Sequence, residues 1–428
     1  MNYANTVNWK YMLRNIRTAL LFVCGLPLAV AAQQPPVLTL DTILQRIERN
    51  NVKLDVYALR AASYEYSAKA ATAWMAPMVG VGTFMTPYPG AKTMSPAEKG
   101  SLMFQLEQDI PNTSKLQAKK RYIESQGNIE KASREVTLNE LKAEAKRLYY
   151  TWMIATARIR VLEQNQQIME TMKKIAEVRY PYNQSQLGSI YKAEGRVAEN
   201  HNMIHMQEGL IDKARAWLNA LMNRPGTEAF DIDTTLAPAF VPAVTYDTAT
   251  LAASRKDVQK MDAGIQSMQL NIDAMKLGKR PDFRFRFDHM QPLGTGMPRA
   301  YSVMGMVSIP IAPWASKMYK NEVKAMELNV QSMQKEKVGM LQETQGMLYG
   351  MEAEIVSMQE HIHATESKIL PTLQRTLDAD FQTYQENKLE LPVIIDAWEA
   401  LTMAQSDLLN EKLKYYEMIV AYEKELYR

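Results

Sequence analysis

Two histidines one helical turn apart, His201 and His205, are the first candidates for metal chemistry in this sequence. Side chains four positions apart lie on the same face of a helix, and Met203 and Met206 add thioethers, which bind soft ions. The spacing supplies no cysteine or carboxylate partner for the pair. A solvated helix face is therefore the favoured interpretation, and no metal site is predicted.

Methionine is unusually frequent, with 29 residues, which raises the hypothesis of copper or silver binding. Four of these methionines recur every seven residues, at Met326, Met333, Met340 and Met347. Leucine is usual at such positions, and methionine is an adaptable filler of hydrophobic cores. Packing explains these methionines better than metal binding does.

Residue patterns for catalysis are missing from the sequence. It contains no glycine-rich phosphate loop, no nucleophile elbow and no compact cluster of histidine and carboxylates of the zinc type. The paired acids Glu352 and Glu354 lie in a highly charged segment and are interpreted as surface residues. We therefore predict neither an enzyme nor a cofactor.

The stretch SLMFQLEQDIPNTSKLQAKK, residues 101–120, joins three kinds of backbone. Apolar and polar residues alternate up to Ile110, which predicts a strand with two different faces. Pro111 ends this strand, and Asn112 and the two residues after it are typical of helix N-termini. The sequence therefore predicts a strand that turns directly into a long helix.

The same junction occurs a second time, so the chain is interpreted as an internal duplication. Pro111-x-x-Ser114-Lys115 is matched by Pro313-x-x-Ser316-Lys317. The predicted first repeat spans residues 33–225, with strands at about 75–88 and 101–111, and a proline-rich linker spans 226–248. The predicted second repeat spans residues 249–428, with strands at about 282–292 and 300–312.

A heptad repeat marks the long helix of the second half. Its apolar positions are Leu341, Leu348, Ile355, Ile362 and Ile369. Sustained heptads are typical of helices that pack against neighbouring helices as coiled coils. The segment is therefore predicted to pack along much of its length.

The strands of the two halves alternate in a way that favours a membrane environment. Phe283, Phe285 and Phe287 alternate with charged residues, and the sequence offers no further strands to cover such a sheet. Membrane β-barrels place apolar side chains toward lipid and polar ones toward a wet lumen, and they must be closed. Four strands are too few for closure, and three chains would supply twelve. The predicted lumen residues are Gln105, Glu107, Arg284, Arg286 and Asp288.

The N-terminal residues 1–32 are predicted to be a cleaved signal peptide. Three basic residues precede a short apolar run, and small residues suggest cleavage before Gln33. The only cysteine, Cys24, lies within this segment, and the bulky Val23 before it argues against lipidation. Loss of the segment takes the formal charge from +3 to 0, which gives no electrostatic case for a nucleic-acid partner. No helical membrane span is predicted.

Over essentially its whole mature length, the chain resembles the TolC family of outer-membrane efflux ducts. The resemblance rests on the opening LTLDTILQRIERNN, the junctions IPNTSK and IPIAPWASK, and the stretch KILPTLQRTLDADFQTYQENKLELPVIIDAWEAL. It implies a mainly α fold with a small membrane β part, in which four strands per chain complete a shared 12-stranded barrel. It also implies a homotrimer in the Gram-negative outer membrane that continues as an α-helical coiled-coil barrel into the periplasm. There it would dock through a periplasmic adaptor onto an inner-membrane pump, expected to be of the RND type.

Two helical hairpins are predicted at the periplasmic tip. The segment TYQENKLELPVIIDAWEAL resembles the second hairpin of the family, with Asn387 where the family has a turn glycine. Asparagine tolerates the left-handed backbone conformation, so the turn can survive this change. In the first hairpin the sequence keeps Gly188 and Ser189. The predicted tip and gate residues are Tyr182, Gly188, Ser189, Tyr384, Glu386, Asn387, Lys388 and Glu390.

Several functions stay open at the level of sequence. The favoured one is the outer-membrane channel of a tripartite efflux system, a passive gated duct for small molecules or metal ions. A type I secretion duct is one alternative, and a non-conducting periplasmic coiled-coil adaptor or scaffold is another from a different class. The stretch LELPVIIDA mildly resembles the heavy-metal branch of the family, and the cargo is not identified.

Overall fold

Two very long helices and a small sheet dominate the fold. The computed structural model describes residues 35–92 and 95–427. The predicted signal peptide, with Cys24 and the cleavage site before Gln33, lies outside the described residues. Among the helices of the described residues, none is both long and apolar enough to cross a membrane.

The first half begins with short elements and ends with a long helical hairpin. Its elements are β1 (Val37–Leu38), α1 (Leu40–Asn50), α2 (Val52–Ala70), β2 (Met78–Phe84), β3 (Ser101–Ile110), α3 (Thr113–Arg179), α4 (Leu187–Leu221) and β4 (Asp231–Ile232). Asn51 separates α1 from α2, and its side chain accepts a hydrogen bond from the Lys53 amide. Asn112 caps α3 in the same way through the Ser114 amide. The strand therefore passes directly into a helix of 67 residues.

The second half repeats this order of elements. It contains α5 (Thr248–Ser254), α6 (Lys256–Lys276), β5 (Phe283–Pro292), β6 (Ala300–Val307), α7 (Pro313–Ala364), α8 (Leu370–Gln385) and α9 (Leu391–Leu426). Pro313 occupies the first turn of α7, where its missing N–H leaves no hydrogen bond unmade. All four long strands lie within or close to the ranges that the sequence predicts, and β2 and β6 are shorter than predicted.

The long strands of both halves form one antiparallel sheet in the order β2-β3-β5-β6. Strands β3 and β5 lie at its centre, so the halves of the chain meet there. In their register Gln105 lies opposite Asp288 and Glu107 opposite Arg286. The short strands β1 and β4 form a separate parallel pair.

A π-helical turn at Thr365–Ile369 interrupts the heptad repeat of α7. Leu341, Leu348, Ile355 and Ile362 are buried as predicted, whereas Ile369 is 47% exposed. The prediction for Ile369 is wrong because the wider turn inserts one residue into the repeat. Leu370, one position later, is half-buried. The spacing of seven then continues through Leu377 and Tyr384, which are buried.

Three hydrophobic clusters hold the helices of the described residues together. The largest lies where α3 and α9 pass the linker, and it includes Trp152, Tyr149, Phe230 and Tyr422. The Trp152 ring packs against Phe230 at a tilt of 57°, with 5.2 Å between the ring centroids, and this contact ties the linker to α3. The second core lies below the helical hairpins and joins α3, α4, α8 and α9. The third, smaller cluster joins α6 to α7, and two of the heptad methionines, Met326 and Met333, pack against it.

Candidate functional site

One face of the four-stranded sheet is apolar and exposed. It is formed by side chains from all four strands, because residues opposite each other in an antiparallel pair share a face. Its exposed members are Val79, Val81, Phe104, Leu106, Phe283, Phe285, Tyr301, Val303 and Val307. Phe285, the third residue of β5, is 40% exposed. The surface is far more continuous than the scattered apolar residues of an ordinary protein surface.

The opposite face of the sheet is charged and closely paired in the central strands β3 and β5, whereas its outer strands β2 and β6 carry the exposed Met78, Phe84 and Met304. It brings together all five predicted lumen residues, Gln105, Glu107, Arg284, Arg286 and Asp288. Nη1 of Arg284 lies 2.8 Å from Oε1 of Glu107, and Nε of Arg286 lies 2.9 Å from Oδ1 of Asp288. Gln105 donates to Glu107 over 3.1 Å. Glu107 and Asp288 are only 7% and 4% exposed.

Asp109 belongs to the same charged face, although the sequence analysis did not include it. Its Oδ1 lies 2.6 Å from Nε of Arg284, so this arginine contacts two carboxylates. The alternation of side chains along β3 already indicated this position, because Asp109 is two residues from Glu107 and therefore lies on the same side of the strand. Charge-assisted contacts of this kind link the two halves of the chain across the sheet.

The sheet is open at both sides. Within the described residues, β2 pairs only with β3, and β6 pairs only with β5. Each outer strand therefore offers one row of backbone N–H and C=O groups to a further strand. An apolar sheet with two open edges is a template for pairing with another chain.

The second helical hairpin reverses at Asn387. This residue has φ 60°, in the left-handed region, and its N–H donates to the Tyr384 carbonyl over 2.9 Å. The Lys388 N–H donates to the Thr383 carbonyl over 3.1 Å. These two bonds form the Schellman arrangement that ends many helices. Asn387 thus takes the conformation that the sequence analysis expected of it.

The first helical hairpin reverses in the same way at Asn183, with φ 59°. Its N–H donates to the Tyr180 carbonyl, and the Gln184 N–H donates to the Arg179 carbonyl. Gly188, which the sequence analysis placed at the tip, lies instead in the first turn of α4. The repeated Tyr-x-x-Asn spacing at both reversals is the sequence signal that would have identified Asn183.

Arg179 fastens the first hairpin to the second. Its Nη1 donates to the Tyr384 carbonyl over 2.8 Å, and its Nη2 donates to the Gln385 carbonyl over 2.9 Å. The guanidinium also lies over the Tyr384 ring, 4.7 Å from its centroid. Burial raises the pKa of the Tyr384 hydroxyl, and the charge of Arg179 partly opposes this shift. One cation of α3 therefore satisfies the last carbonyls of α8.

A cleft of about 400 Å³ lies between the two reversals, and it contains most of the predicted tip residues. The predicted residues that line it are Ser189, Tyr384, Asn387, Lys388 and Glu390. Tyr182 projects outward and is exposed. Glu386 is also exposed, with Oε2 lying 2.7 Å from Nζ of Lys388. The structure thus groups five of the eight predicted residues around one opening.

Ion pairs between α4 and α9 connect the two hairpins at positions that follow the reversals in sequence. Nζ of Lys192 lies 3.0 Å from Oδ1 of Asp396, and Nε of Arg196 lies 2.7 Å from Oε1 of Glu399. Glu199 and Glu399 raise the pKa of Arg196 through hydrogen bonds to its guanidinium. These pairs join segments of the two halves, and the sequence pattern alone did not reveal them.

Comparisons with known proteins identify the fold. No protein-family model and no curated protein matches the chain in sequence. Solved structures do match: CusC, a protein that forms a transmembrane channel, is 15% identical, with 90% of this chain and 91% of that chain covered and a TM-score of 0.72. The outer membrane protein VceC of Vibrio cholerae is 14% identical, with 90% and 95% covered and a TM-score of 0.68. The outer membrane channel MtrE of Neisseria gonorrhoeae is 13% identical, with 91% and 88% covered and a TM-score of 0.66. The predicted mainly α, TolC-like fold is therefore confirmed.

Proposed function

From the fold that this chain shares with TolC-family channels, we propose that it is one protomer of a trimeric outer-membrane efflux channel. In this proposal the sheet contributes to a membrane barrel, and the long helices contribute to a periplasmic duct. The channel is passive, because transport energy enters at an inner-membrane partner. The proposal includes cleavage of the signal at residues 1–32 and export across the inner membrane.

The arrangement of the sheet is the observation that supports this function most strongly. Phe285 and its neighbours are exposed on one face, whereas Glu107 and Asp288 on the other face are paired with the arginines beside them. In water an apolar face of this kind would be covered, because apolar burial drives folding. A sheet with lipid on one side and a wet lumen on the other requires this order of faces.

The open edges of the sheet support assembly from several chains. Strand β6 of one copy beside β2 of the next would satisfy both free edges, and three copies would close a barrel of twelve strands. An antiparallel pairing continues the pattern of the sheet, since the strands alternate in direction from β2 to β6. Closure removes the unpaired backbone groups that lipid does not tolerate.

The hairpin reversals are proposed to form the periplasmic gate. Three protomers would bring six reversals around the mouth, and each protomer has two that are already fastened together by Arg179. The ion pairs of Lys192 and Arg196 with α9 would hold neighbouring helices in the closed state. Opening would separate such contacts without unfolding the cores behind them.

The partners and cargo are proposals from the family resemblance. They comprise a periplasmic adaptor and an inner-membrane pump of the RND type, with small molecules or metal ions as cargo. A type I secretion duct would use the same channel with a different pump. The sequences of genes beside this one would separate the two, because an RND pump and a secretion ATPase have unrelated sequences.

The test is fractionation and conductance of the full-length chain. Expressed in a Gram-negative host, it should enter the outer membrane, require detergent, and give a trimer by light scattering. Planar bilayers with the purified trimer should show conducting events. A non-conducting adaptor would give no conductance, and a water-soluble monomer lacking the signal would exclude the channel altogether.

A further inference from the structure

His201 and His205 direct the same ring nitrogen toward each other on the exposed surface of α4. Their Nε2 atoms are 3.0 Å apart, and the ring centroids are separated by 4.4 Å. Both side chains are exposed, so an ion from solution can reach the space between the rings. This contact involves neither the sheet nor the hairpin reversals.

Glu208 supplies the carboxylate partner that the sequence analysis did not find. Its Oε2 lies 2.8 Å from Nδ1 of His205, on the side of the ring away from His201. An ionised carboxylate only accepts hydrogen bonds, so Nδ1 of His205 carries the proton. Nε2 of His205 then accepts a hydrogen bond from Nε2–H of His201, and His201 must shift this proton to Nδ1 or release it before both Nε2 atoms can bind an ion. Metal-binding histidines are commonly oriented by a carboxylate in this manner.

The separation of the nitrogen atoms indicates which ions fit. Histidine nitrogen binds a first-row divalent metal at about 2.0 to 2.1 Å, so two nitrogens 3.0 Å apart subtend about 95° at a shared ion. This angle is close to the 90° of square-planar coordination, which Cu²⁺ and Ni²⁺ adopt with nitrogen and oxygen ligands. Tetrahedral Zn²⁺ would require the rings to move apart. Copper binds most tightly in the usual order of divalent metals.

The remaining ligands would be water. Among the described residues, no group of three or more His, Cys, Asp or Glu side chains is placed to hold a metal ion. Met203 and Met206 line a different groove with Trp398 and Met403, so their thioethers do not complete the site. The two imidazole nitrogens therefore form a two-ligand chelate that suits Cu²⁺ or Ni²⁺. Methionine thioethers would instead favour a soft ion such as Cu⁺.

We propose that His201 and His205 chelate one divalent copper or nickel ion on α4, with Glu208 as the positioning residue for His205. The inference goes beyond the proposed channel function and does not depend on it. Metal binding is measured directly on the purified chain. Failure of this test therefore does not affect the proposed channel function, which is tested by conductance and oligomeric state.

The test uses the full-length chain in detergent without an oligohistidine tag, titrated with Cu²⁺ alone and then with Ni²⁺ alone. Calorimetry should give one site per chain, with Cu²⁺ bound more tightly than Ni²⁺. Electron paramagnetic resonance of the Cu²⁺ form should show splitting from two nitrogen ligands. His201→Ala and His205→Ala should each weaken binding by at least about tenfold, and Glu208→Gln should weaken it by about tenfold.

Two controls separate geometry from histidine content. Replacing His361 and His363 together by alanine should leave the affinity unchanged. The double variant His205→Ala with Met206→His keeps the number of histidines but moves one about 100° around the helix, so it should lose the chelate. The proposal is overturned if this variant or His201→Ala binds Cu²⁺ as the wild type does, or if the spectrum shows a single nitrogen.

Discussion

The helical core and the sheet place the same kinds of side chain in opposite positions. In the core around α3, Trp152 and Tyr149 are fully buried, and the charged residues of the same helix face outward. In the sheet, Phe285 is exposed, whereas Glu107 and Asp288 are enclosed. Both regions belong to one chain, and where β3 passes into α3 only Pro111 and the capping residue Asn112 separate them.

The difference indicates that the two regions fold against different surroundings. Apolar side chains avoid water, so the helical core has the order expected of a protein in an aqueous compartment. The sheet has the order expected where lipid lies outside and water inside. Buried charges are paired in both regions: Arg255 in the helical part contacts Asp257 and Glu425, as Arg284 contacts Glu107 in the sheet. Ion pairing of buried charges is therefore common to the helical core and the sheet. The two regions differ in whether their apolar side chains are buried or exposed.

The largest effect is expected in the helical core. Trp152→Ala should lower the free energy of unfolding by about 3 to 5 kcal/mol, because it removes a buried ring and leaves a cavity beside Phe230. Thermal unfolding followed by circular dichroism in detergent measures the loss. Trp217, which is exposed on α4, is the matched control, and Trp217→Ala should change stability by less than about 0.5 kcal/mol. Equal losses at both tryptophans would contradict the proposed core.

The next effect tests whether the exposed face of the sheet lies in lipid. Phe285→Arg should destabilise the assembled protein by about 2 to 4 kcal/mol if the side chain lies near the bilayer midplane. The fraction of trimer that survives heating in detergent measures this effect. Val244, which is 98% exposed in the linker, is the control, since Val244→Arg at a water-facing position should be nearly neutral.

A second control lies one residue away on the other face. Arg286→Gln keeps an amide donor for the enclosed Asp288, so it should disturb assembly much less than Phe285→Arg, and it should change single-channel conductance because it removes a charge from the predicted lumen face. Similar assembly defects in Phe285→Arg and Arg286→Gln would argue against the assignment of the two faces. A register error of one residue would exchange the two results, because neighbouring residues of a strand face opposite sides.

A smaller effect is expected at the hairpins, where both reversals face water. Arg179→Met should cost about 1 to 3 kcal/mol locally, because the Tyr384 and Gln385 carbonyls lose their charged donor. We expect fraying of the end of α8 and a higher leak conductance. Arg160→Met, on the same helix, is the control, because within the described part of the chain Arg160 makes a single long hydrogen bond, of 3.4 Å to Thr234. A leak that rises equally in both variants would show that Arg179 has no special role.

Local patterns predicted the strands because alternation is a property of consecutive residues. Gln105 and Arg286 could therefore be assigned to one type of face before their strands were known to pair. Partners distant in sequence could not be found in this way. Arg179 meets Tyr384 only because two helical hairpins pack side by side, and no periodicity reports such a contact. The strands and the long helices followed from the patterns, and the TolC-like fold class followed from the family resemblance. The contacts of Arg179 with α8 were found only in the structure.

The π-helical turn shows a second limit of pattern analysis. The heptad repeat predicted that Ile369 is buried, and the inserted residue turned it outward. Pro371 lacks the N–H that an α-helix would use here, so the wider turn lies beside a proline. A proline after a heptad run therefore indicates that the register needs checking. The proline alone does not show by how many residues, or in which direction, the heptad register shifts.

The smallest effect concerns the exposed charges at the second reversal. Glu386 pairs with Lys388, and Glu390 precedes the first turn of α9; both glutamates are exposed. Exposed ion pairs are typically worth about 0 to 1 kcal/mol, so replacing both glutamates by glutamine should not alter the stability of the trimer measurably. A gate needs only a small bias between its states, however, and we still expect a raised leak current in planar bilayers and greater sensitivity of cells to large antibiotics. The Lys388→Gln variant, which breaks the same pair from its other side, should raise the leak less, because Glu390 keeps its charge. If the conductance of a correctly assembled double variant is unchanged, the glutamates serve the turn alone, and closure depends on the apolar packing of Leu389 and Leu391 beneath them.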